Sequence, residues 1–426
     1  MPDSVPSTTP GQRRLRVALV VQRYGLEING GAELLARLVV EQIRGQHDVE
    51  VLSTCARDYT TWDMHYAPGE QLVDGIPVHR FAQPLRTHDG RARIPKPHKL
   101  RRSLFKALPW LPMARVARPN GDAEWDGLNY MRRQGPFVPA LVEHLKNAGD
   151  RYEVVIFVTA LYYPIACGIL ACPQPALLIP NLHDEAAMYL PLFHQVFRRP
   201  RWILWNTDAE RDTAKLLYGK DITPGEVCGI GVDVSLPAPE QLPALRQHYA
   251  VPGDYIVFVG RVAAAKGFDT LLEAFAAHRR HAGKPLSLVV VGQVFEDSLR
   301  ADGVVYTGFI EMADKNALIA GASACIVSSR HESLSLVLLE SFALGTPVIA
   351  NGESAVLRQH IERTGAGVVY RGARGLAKAI DTVAAWTPER RREMAESGRR
   401  YVEERYNWPR IKATLESALQ RVAGKA

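Results

Sequence analysis

Residues 324–351 read ACIVSSRHESLSLVLLESFALGTPVIAN. Two short apolar runs, ACIVSS and PVIAN, read as strands, and the segment between them, LSLVLLESFAL (residues 334–344), is helix-sized. A strand, a helix and a strand in that order form a unit whose two strands run parallel. Strands covered by helices on both faces show no polar alternation, which accounts for the unbroken apolar runs. Glu340 interrupts the helical segment, and Glu332 stands eight residues upstream. A buried carboxylate without partners is costly. Glu340 therefore needs either a backbone or arginine partner inside the protein or the hydroxyl groups of a ligand.

The same scheme extends outward from this unit. IVFVG, LSLVVVG, VVYTG and AGVVY add four strands to the second half, separated by helix-sized segments. VALVVQ, DVEVLST, IPVHRF, VVIFVT, ALLIP and WILWN do the same for the first half. The expectation is α/β: two Rossmann-like, doubly wound parallel-sheet domains over residues 13–233 and 234–408. A Pro-rich linker lies near Gly231 to Pro239, and a helix over residues 409–426 returns to the N-terminal domain. Ligands of such sheets bind at the carboxyl ends of the strands, so the site is expected on post-strand loops facing a cleft between the domains.

Composition narrows the class. With 426 residues, 47% apolar and 23% charged, the chain is an ordinary soluble globular protein of two domains. MPDSVPSTTPGQ at the N-terminus has no apolar block and reads as a tail rather than a secretory signal, which implies a cytoplasmic protein. Five cysteines without a CxxC argue against disulfides and zinc ribbons and are expected as reduced, mostly buried thiols. Residues 154–182 carry no charge, but Pro164, Pro173 and Pro175 break them, so a strand, a short helix and a strand are expected rather than a membrane span. Residues 86–118 hold ten Lys/Arg against one acid. The net charge of +7 therefore comes from this one segment. Leu100, Leu104, Phe105, Leu108, Trp110 and Leu111 interleave with the cations, a mixture suited to an anionic membrane surface, with a solvated basic loop as the plainer alternative and no nucleic acid expected.

Two loops carry the chemistry. After IVFVG, the run Gly260-Arg261-Val262-Ala263-Ala264-Ala265-Lys266-Gly267 sets two cations beside the start of a helix, an anion site suited to a diphosphate. It is neither a GxxxxGK[ST] loop nor a GxGxxG fingerprint. After ACIVSS, the loop at Arg330 to Ser333 places Glu332 in the post-strand crevice, with the helix starting near Leu334 or Ser335. HESLS is not a zinc motif, because Ser335 stands where HExxH needs its second histidine.

These residues resemble the family 4 retaining glycosyltransferases of the GT-B fold. Glu332 and Glu340 form an E-x7-E pair followed by SFALGTPVI, Gly260-Arg261 and Lys266-Gly267 match a diphosphate loop, Gly30-Gly31-Ala32-Glu33 matches a first N-domain loop, and His183-Asp184 matches a loop facing the donor sugar. Many members read EGFG where this chain reads Glu332-Ser333-Leu334-Ser335. The resemblance implies that Arg261 and Lys266 bind the donor diphosphate in the loop opened by Gly260. Glu340 would hold the ribose and Glu332 the sugar hydroxyls. Backbone amides of Ser335, Leu336 and Val337 would reach sugar and phosphate, His183 would touch the sugar, and Gly30 and Gly31 would admit backbone close to the ligand. Glu332, His183, Lys266 and Arg261 are the candidate catalytic residues. The leaving diphosphate would be stabilised by cations and a helix N-terminus, with no metal and no cofactor beyond a GDP-mannose or UDP-hexose donor.

The expected activity is retaining hexosyl transfer to a glycan or polyprenyl-diphosphate-linked acceptor at the inner face of the cytoplasmic membrane, in cell-surface polysaccharide synthesis of the O-antigen, capsule or exopolysaccharide type. The alternatives are a sugar-nucleotide epimerase of the same architecture, which would not need the ordered motif set, and a non-catalytic nucleotide-sugar-binding protein.

Overall fold

Most strands carry no exposed residue in the structure, a computed structural model that describes residues 13–28, 30–84, 93–108, 110, 114–251, 253–281 and 286–424. The expected N-terminal tail lies outside the described residues, as do residues 86–92, 109 and 111–113 of the basic segment. The chain divides into two units, Met1–Ile230 with Ile411–Ala426, and Gly231–Arg410.

The first unit holds eight strands: β1 (Arg16–Val20), β2 (Asp48–Thr54), β3 (Gly69–Val73), β4 (Ile76–Phe81), β5 (Val154–Val158), β6 (Ala176–Ile179), β7 (Trp202–Trp205) and β8 (Gly225–Val227). Their order is β3-β4-β2-β1-β5-β6-β7-β8. All pairs are parallel except β3 with β4. The antiparallel β3 and the short β8 were not foreseen, since neither GEQLV nor GEV is an apolar run. The uncharged stretch resolves into β5, a helix over Tyr163–Ala171 and β6, and no helix among the described residues is long and apolar enough to cross a membrane.

The second unit holds β9 (Tyr255–Val259), β10 (Ser287–Val291), β11 (Val304–Gly308), β12 (Ala324–Val327), β13 (Val348–Asn351) and β14 (Gly367–Tyr370), ordered β11-β10-β9-β12-β13-β14. Every pair is parallel. The chain steps from β9 out to β11 and then returns to lay β12 on the other side of β9. Loops leaving β9 and β12 therefore diverge, opening a crevice at their carboxyl ends. β1 and β5 make the same switch in the first unit.

All five cysteines are free, and all but Cys167 are buried. Helix Leu336–Ala343 begins later than expected, because Ser335 takes a left-handed conformation (φ 70°, ψ 79°) that a helix cannot contain.

Candidate functional site

In the second unit, the loop after β9 and the loop after β12 are stitched together by side-chain bonds to backbone carbonyls. Ser328 Oγ donates to the Lys266 carbonyl at 2.6 Å, and Asn351 Nδ2 donates to the Ser328 carbonyl at 2.9 Å. Gly267 is left-handed (φ 72°), and a Cβ there would stand 2.8 Å from the Ser328 carbonyl oxygen, so both the angle and the approach require glycine. Gly260 and the half-buried Arg261 follow β9 directly. A Cβ at Gly292, after β10, would stand 2.1 Å from the Gly260 carbonyl oxygen. The predicted diphosphate loop is therefore pressed onto its neighbours on both sides.

This stitching brings Lys266 Nζ to 3.3 Å from Glu332 Oε1. Glu332 precedes helix Leu336–Ala343 by one short loop, and the cap residue of that helix, Ser335, supplies no side-chain bond to its amides. A cation, a carboxylate and a helix end thus share one crevice, a set that can hold phosphate oxygens and hydroxyl groups together. The loop is held from behind by His360. Its Nε2–H donates to the Leu334 carbonyl at 3.0 Å, while the Tyr401 hydroxyl donates to Nδ1 at 3.0 Å. Burial pulls the His360 imidazole down to about 4, keeping it neutral for this role.

Glu340 has the partner its burial requires, but it is neither a backbone group nor an arginine. Lys315 Nζ, from helix Met312–Ala320 after β11, lies 2.8 Å from Glu340 Oε2, with both side chains more than four-fifths buried. Lys315 was missed because nothing in its own stretch marks it; only the fold sets it opposite the acid.

In the first unit, Gly30 caps helix Gly31–Ile43 and backs onto a buried pair, with Arg23 Nη2 2.6 Å from Glu33 Oε1. A Cβ at Gly30 would stand 2.1 Å from Glu33 Oε2, whereas one at Gly31 would meet open space. His183 lies in the loop after β6. That loop is anchored by Glu210, whose Oε1 accepts from Leu182 N at 2.6 Å and whose Oε2 accepts from Asn206 N at 2.5 Å. Burial pushes the Glu210 carboxyl up to about 8. Thr207-x-x-Glu210 has the spacing of a helix capping box, and Thr207 Oγ1 accepts from Glu210 N at 3.1 Å. That spacing was the signal for Glu210; the side chain reaches beyond the cap to the neighbouring loop.

The described part of the basic segment includes a helix, Lys96–Ala107. Arg101 and Arg102, expected among its outward charges, turn inward. Arg101 donates to the Arg115 and Ala114 carbonyls at 2.7 and 3.2 Å, and Arg102 Nε lies 3.8 Å from Asp184 Oδ1. Phe105, expected at an interface, is buried. Leu100 and Trp110 are each 73% exposed, and Lys96, Lys99, Leu104 and Lys106 share the outer surface.

A cavity of about 750 Å³ lies instead at the amino ends of β1 and β2, lined by Arg14, Arg16, Arg44 and Arg151. Each of these is already paired with an acid. Glu50, Glu70 and His79 have metal-ligand spacing there, but Arg151 donates to both Glu50 oxygens at 3.0 Å and would compete with any cation.

The profile of the family described as "Glycosyl transferases group 1" matches residues 253–385. That stretch is similar to a group 1 glycosyl transferase domain. The matched stretch contains Gly260, Arg261, Lys266, Lys315, Glu332, Ser335 and Glu340. The chain is 31% identical over 207 residues to the GDP-mannose-dependent alpha-(1-6)-phosphatidylinositol dimannoside mannosyltransferase of Mycobacterium tuberculosis (strain ATCC 25177 / H37Ra), covering 46% of this chain and 51% of that protein. It is 30% identical over 224 residues to the D-inositol 3-phosphate glycosyltransferase of Jonesia denitrificans, covering 48% and 51%. The chain thus spans about half the length of the curated relatives it matches. Among solved structures, sucrose-phosphate synthase from Thermosynechococcus elongatus aligns with 97% of this chain and 100% of that one at a TM-score of 0.65 and 16% identity. Anabaena HepE in complex with UDP-glucose aligns equally well, at 0.65 and 16% over 97% and 100%. The fold is therefore GT-B, as the motifs implied.

Proposed function

We propose that the protein is a glycosyltransferase that moves a hexose from a nucleoside-diphosphate sugar to an acceptor hydroxyl, retaining anomeric configuration and requiring no metal. The observation that carries this reading is the Lys266–Glu332 pair, held at 3.3 Å, with Glu332 one short loop before an uncapped helix N-terminus inside the matched stretch. Lys266, Arg261 and the helix amides of Ser335, Leu336 and Val337 take the diphosphate and stabilise the charge that develops as it leaves. Glu332 takes sugar hydroxyls, Glu340 with Lys315 the ribose, and His183 the sugar. Gly30 and Gly31 admit the ligand to the backbone of their helix end.

GDP-mannose is the first donor to test, because a relative in the comparison is GDP-mannose-dependent. UDP-hexoses follow, since a structural neighbour holds UDP-glucose. The acceptor is proposed to be membrane-bound, a lipid head group or lipid-linked glycan in cell-surface glycolipid or polysaccharide synthesis. The outer face of helix Lys96–Ala107 supports this placement, because it pairs exposed leucines with lysines suited to an anionic surface. The test is incubation of the protein with a nucleotide-sugar panel and lipid extracts, with the anomeric configuration of the product read by NMR. Transfer lost in Lys266→Ala and Glu332→Ala supports the assignment. Wild-type turnover in both overturns it.

A further inference from the structure

Behind His183 stands a carboxyl that no motif singles out. Glu185 Oε1 lies 3.2 Å from His183 Nδ1, within ion-pair distance but without the alignment of a hydrogen bond, and the Glu185 amide donates to the His183 carbonyl at 2.8 Å, closing the loop on itself. The loop cannot drift from this arrangement, because Leu182 is tied to Glu210 on one side and Met188 N donates to the Glu185 carbonyl at 3.2 Å on the other. Strand ends nearby are strained: Thr159 and Asn181 both have positive φ (73° and 48°), and Asn181 Nδ2 donates to Thr159 Oγ1 at 2.9 Å. Strain of this kind persists where the surroundings over-determine a conformation.

We propose that Glu185 is the positioning residue for His183. As a carboxylate it accepts a hydrogen bond from the Nδ1–H of the neutral ring after a small turn of the imidazole, so that Nε2 is presented as a proton acceptor to a sugar hydroxyl. The inference deepens the reading of His183 as a sugar contact and rests on it. Setting the tautomer of one ring nitrogen through a carboxylate on the other is a general way to define what the imidazole can do.

The charged groups around the pair make it sensitive to pH. Burial pushes the Glu185 carboxyl up to about 7, Arg102 from helix Lys96–Ala107 opposes the shift, and Asp184 adds to it. Tyr130 from helix Leu128–Gln134 and Tyr218 from helix Asp208–Tyr218 also face it, as un-ionised hydroxyls held there by burial. Arg115 faces the adjoining Tyr189. The basic helix therefore touches the His183 loop through Arg102.

The test uses ¹⁵N NMR of the His183 ring in the ligand-free full chain, alongside pH profiles of turnover. Wild type should show the Nδ1–H tautomer. Glu185→Gln should lower the His183 titration midpoint by about 1 unit, as expected on losing a carboxylate partner. Glu185→Leu should move the proton to Nε2. Turnover should fall by roughly tenfold in Glu185→Gln, the size expected of a partner orienting a working imidazole, with its pH profile displaced and KM little changed. Identical His183 titration in wild type and Glu185→Gln would overturn the pairing. If the NMR pairing is present but His183→Ala turns over normally, the placement of the site fails, and Glu185 loses its part in the reaction with it.

Discussion

Glu340 shows how a single residue can be legible in kind and illegible in detail. Its place in an apolar helix demanded a partner, and the structure supplies Lys315 at 2.8 Å. If the pair holds ribose hydroxyls, Glu340→Gln and Lys315→Met should each weaken nucleoside-diphosphate binding by roughly 1 to 3 kcal/mol, the range for a charged hydrogen bond. Titration calorimetry reads this directly, and unchanged affinity in both would make the pair purely structural. Ser335 makes a second case. It sits left-handed where many relatives of this motif carry the last glycine of EGFG, so its side chain bears strain that glycine would not. Ser335→Gly should keep or raise stability, and Ser335→Val should cost about 1 to 3 kcal/mol by denaturant unfolding. Equal stability of the two variants would contradict the strain.

Among the elements, the loop after β6 depends on a carboxyl that lies beyond the next strand, β7, in sequence. Glu210 is fully buried, and its oxygens serve two backbone amides. Its folded value of about 8 lies above the ordinary 4.5, so the folded protein keeps a proton that the unfolded chain releases. The group's contribution to stability is present below about pH 4.5 and is lost as pH rises towards about 8. Glutamine does not titrate, so the stability of wild type relative to Glu210→Gln should be greatest at low pH and should decline as pH rises through that window. Thermal unfolding across the window checks it, and a constant gap would show that Glu210 does not titrate there. The helix Lys96–Ala107 supports another test. Because Arg101 and Arg102 are committed inward, the variant that probes membrane contact is Leu100→Ser with Leu104→Ser and Lys99→Ser. Its binding to anionic vesicles should fall while its fold is kept, and equal co-sedimentation with wild type would mark the face as merely solvated.

For the whole molecule, both sheets follow one rule: strands laid outward from the first, then a return to its other side. Crevices at the carboxyl ends of β9 and β12, and of β1 and β5, follow from that order. The charge for stabilising a leaving diphosphate comes in this reading from side chains and helix ends. Transfer should therefore survive EDTA, and activity that disappears with chelation and returns with magnesium or manganese would refute metal independence. Gly231 tests the packing at the start of the second unit. A Cβ there would lie 2.3 Å from the Trp408 ring, so Gly231→Ala should destabilise the protein by roughly 1 to 3 kcal/mol, the cost of overpacking, measured by denaturant unfolding.

Apart from β3 and β8, the strand runs, their parallel pairing and the post-strand position of Gly260, Arg261, Lys266, Glu332 and His183 were determined by sequence alone. Burial on both faces of a sheet leaves an unbroken apolar run, and loops announce themselves by glycine and charge. Only the tertiary structure decided which cation meets which acid. Lys315 with Glu340, Glu185 with His183, and Glu210 with Leu182 and Asn206 each join different elements or opposite ends of one loop. No periodicity records such a pairing, because it is set by where helices and loops come to rest over the sheet. The same holds for Arg101 and Arg102: composition counted their charge, and packing turned it inward.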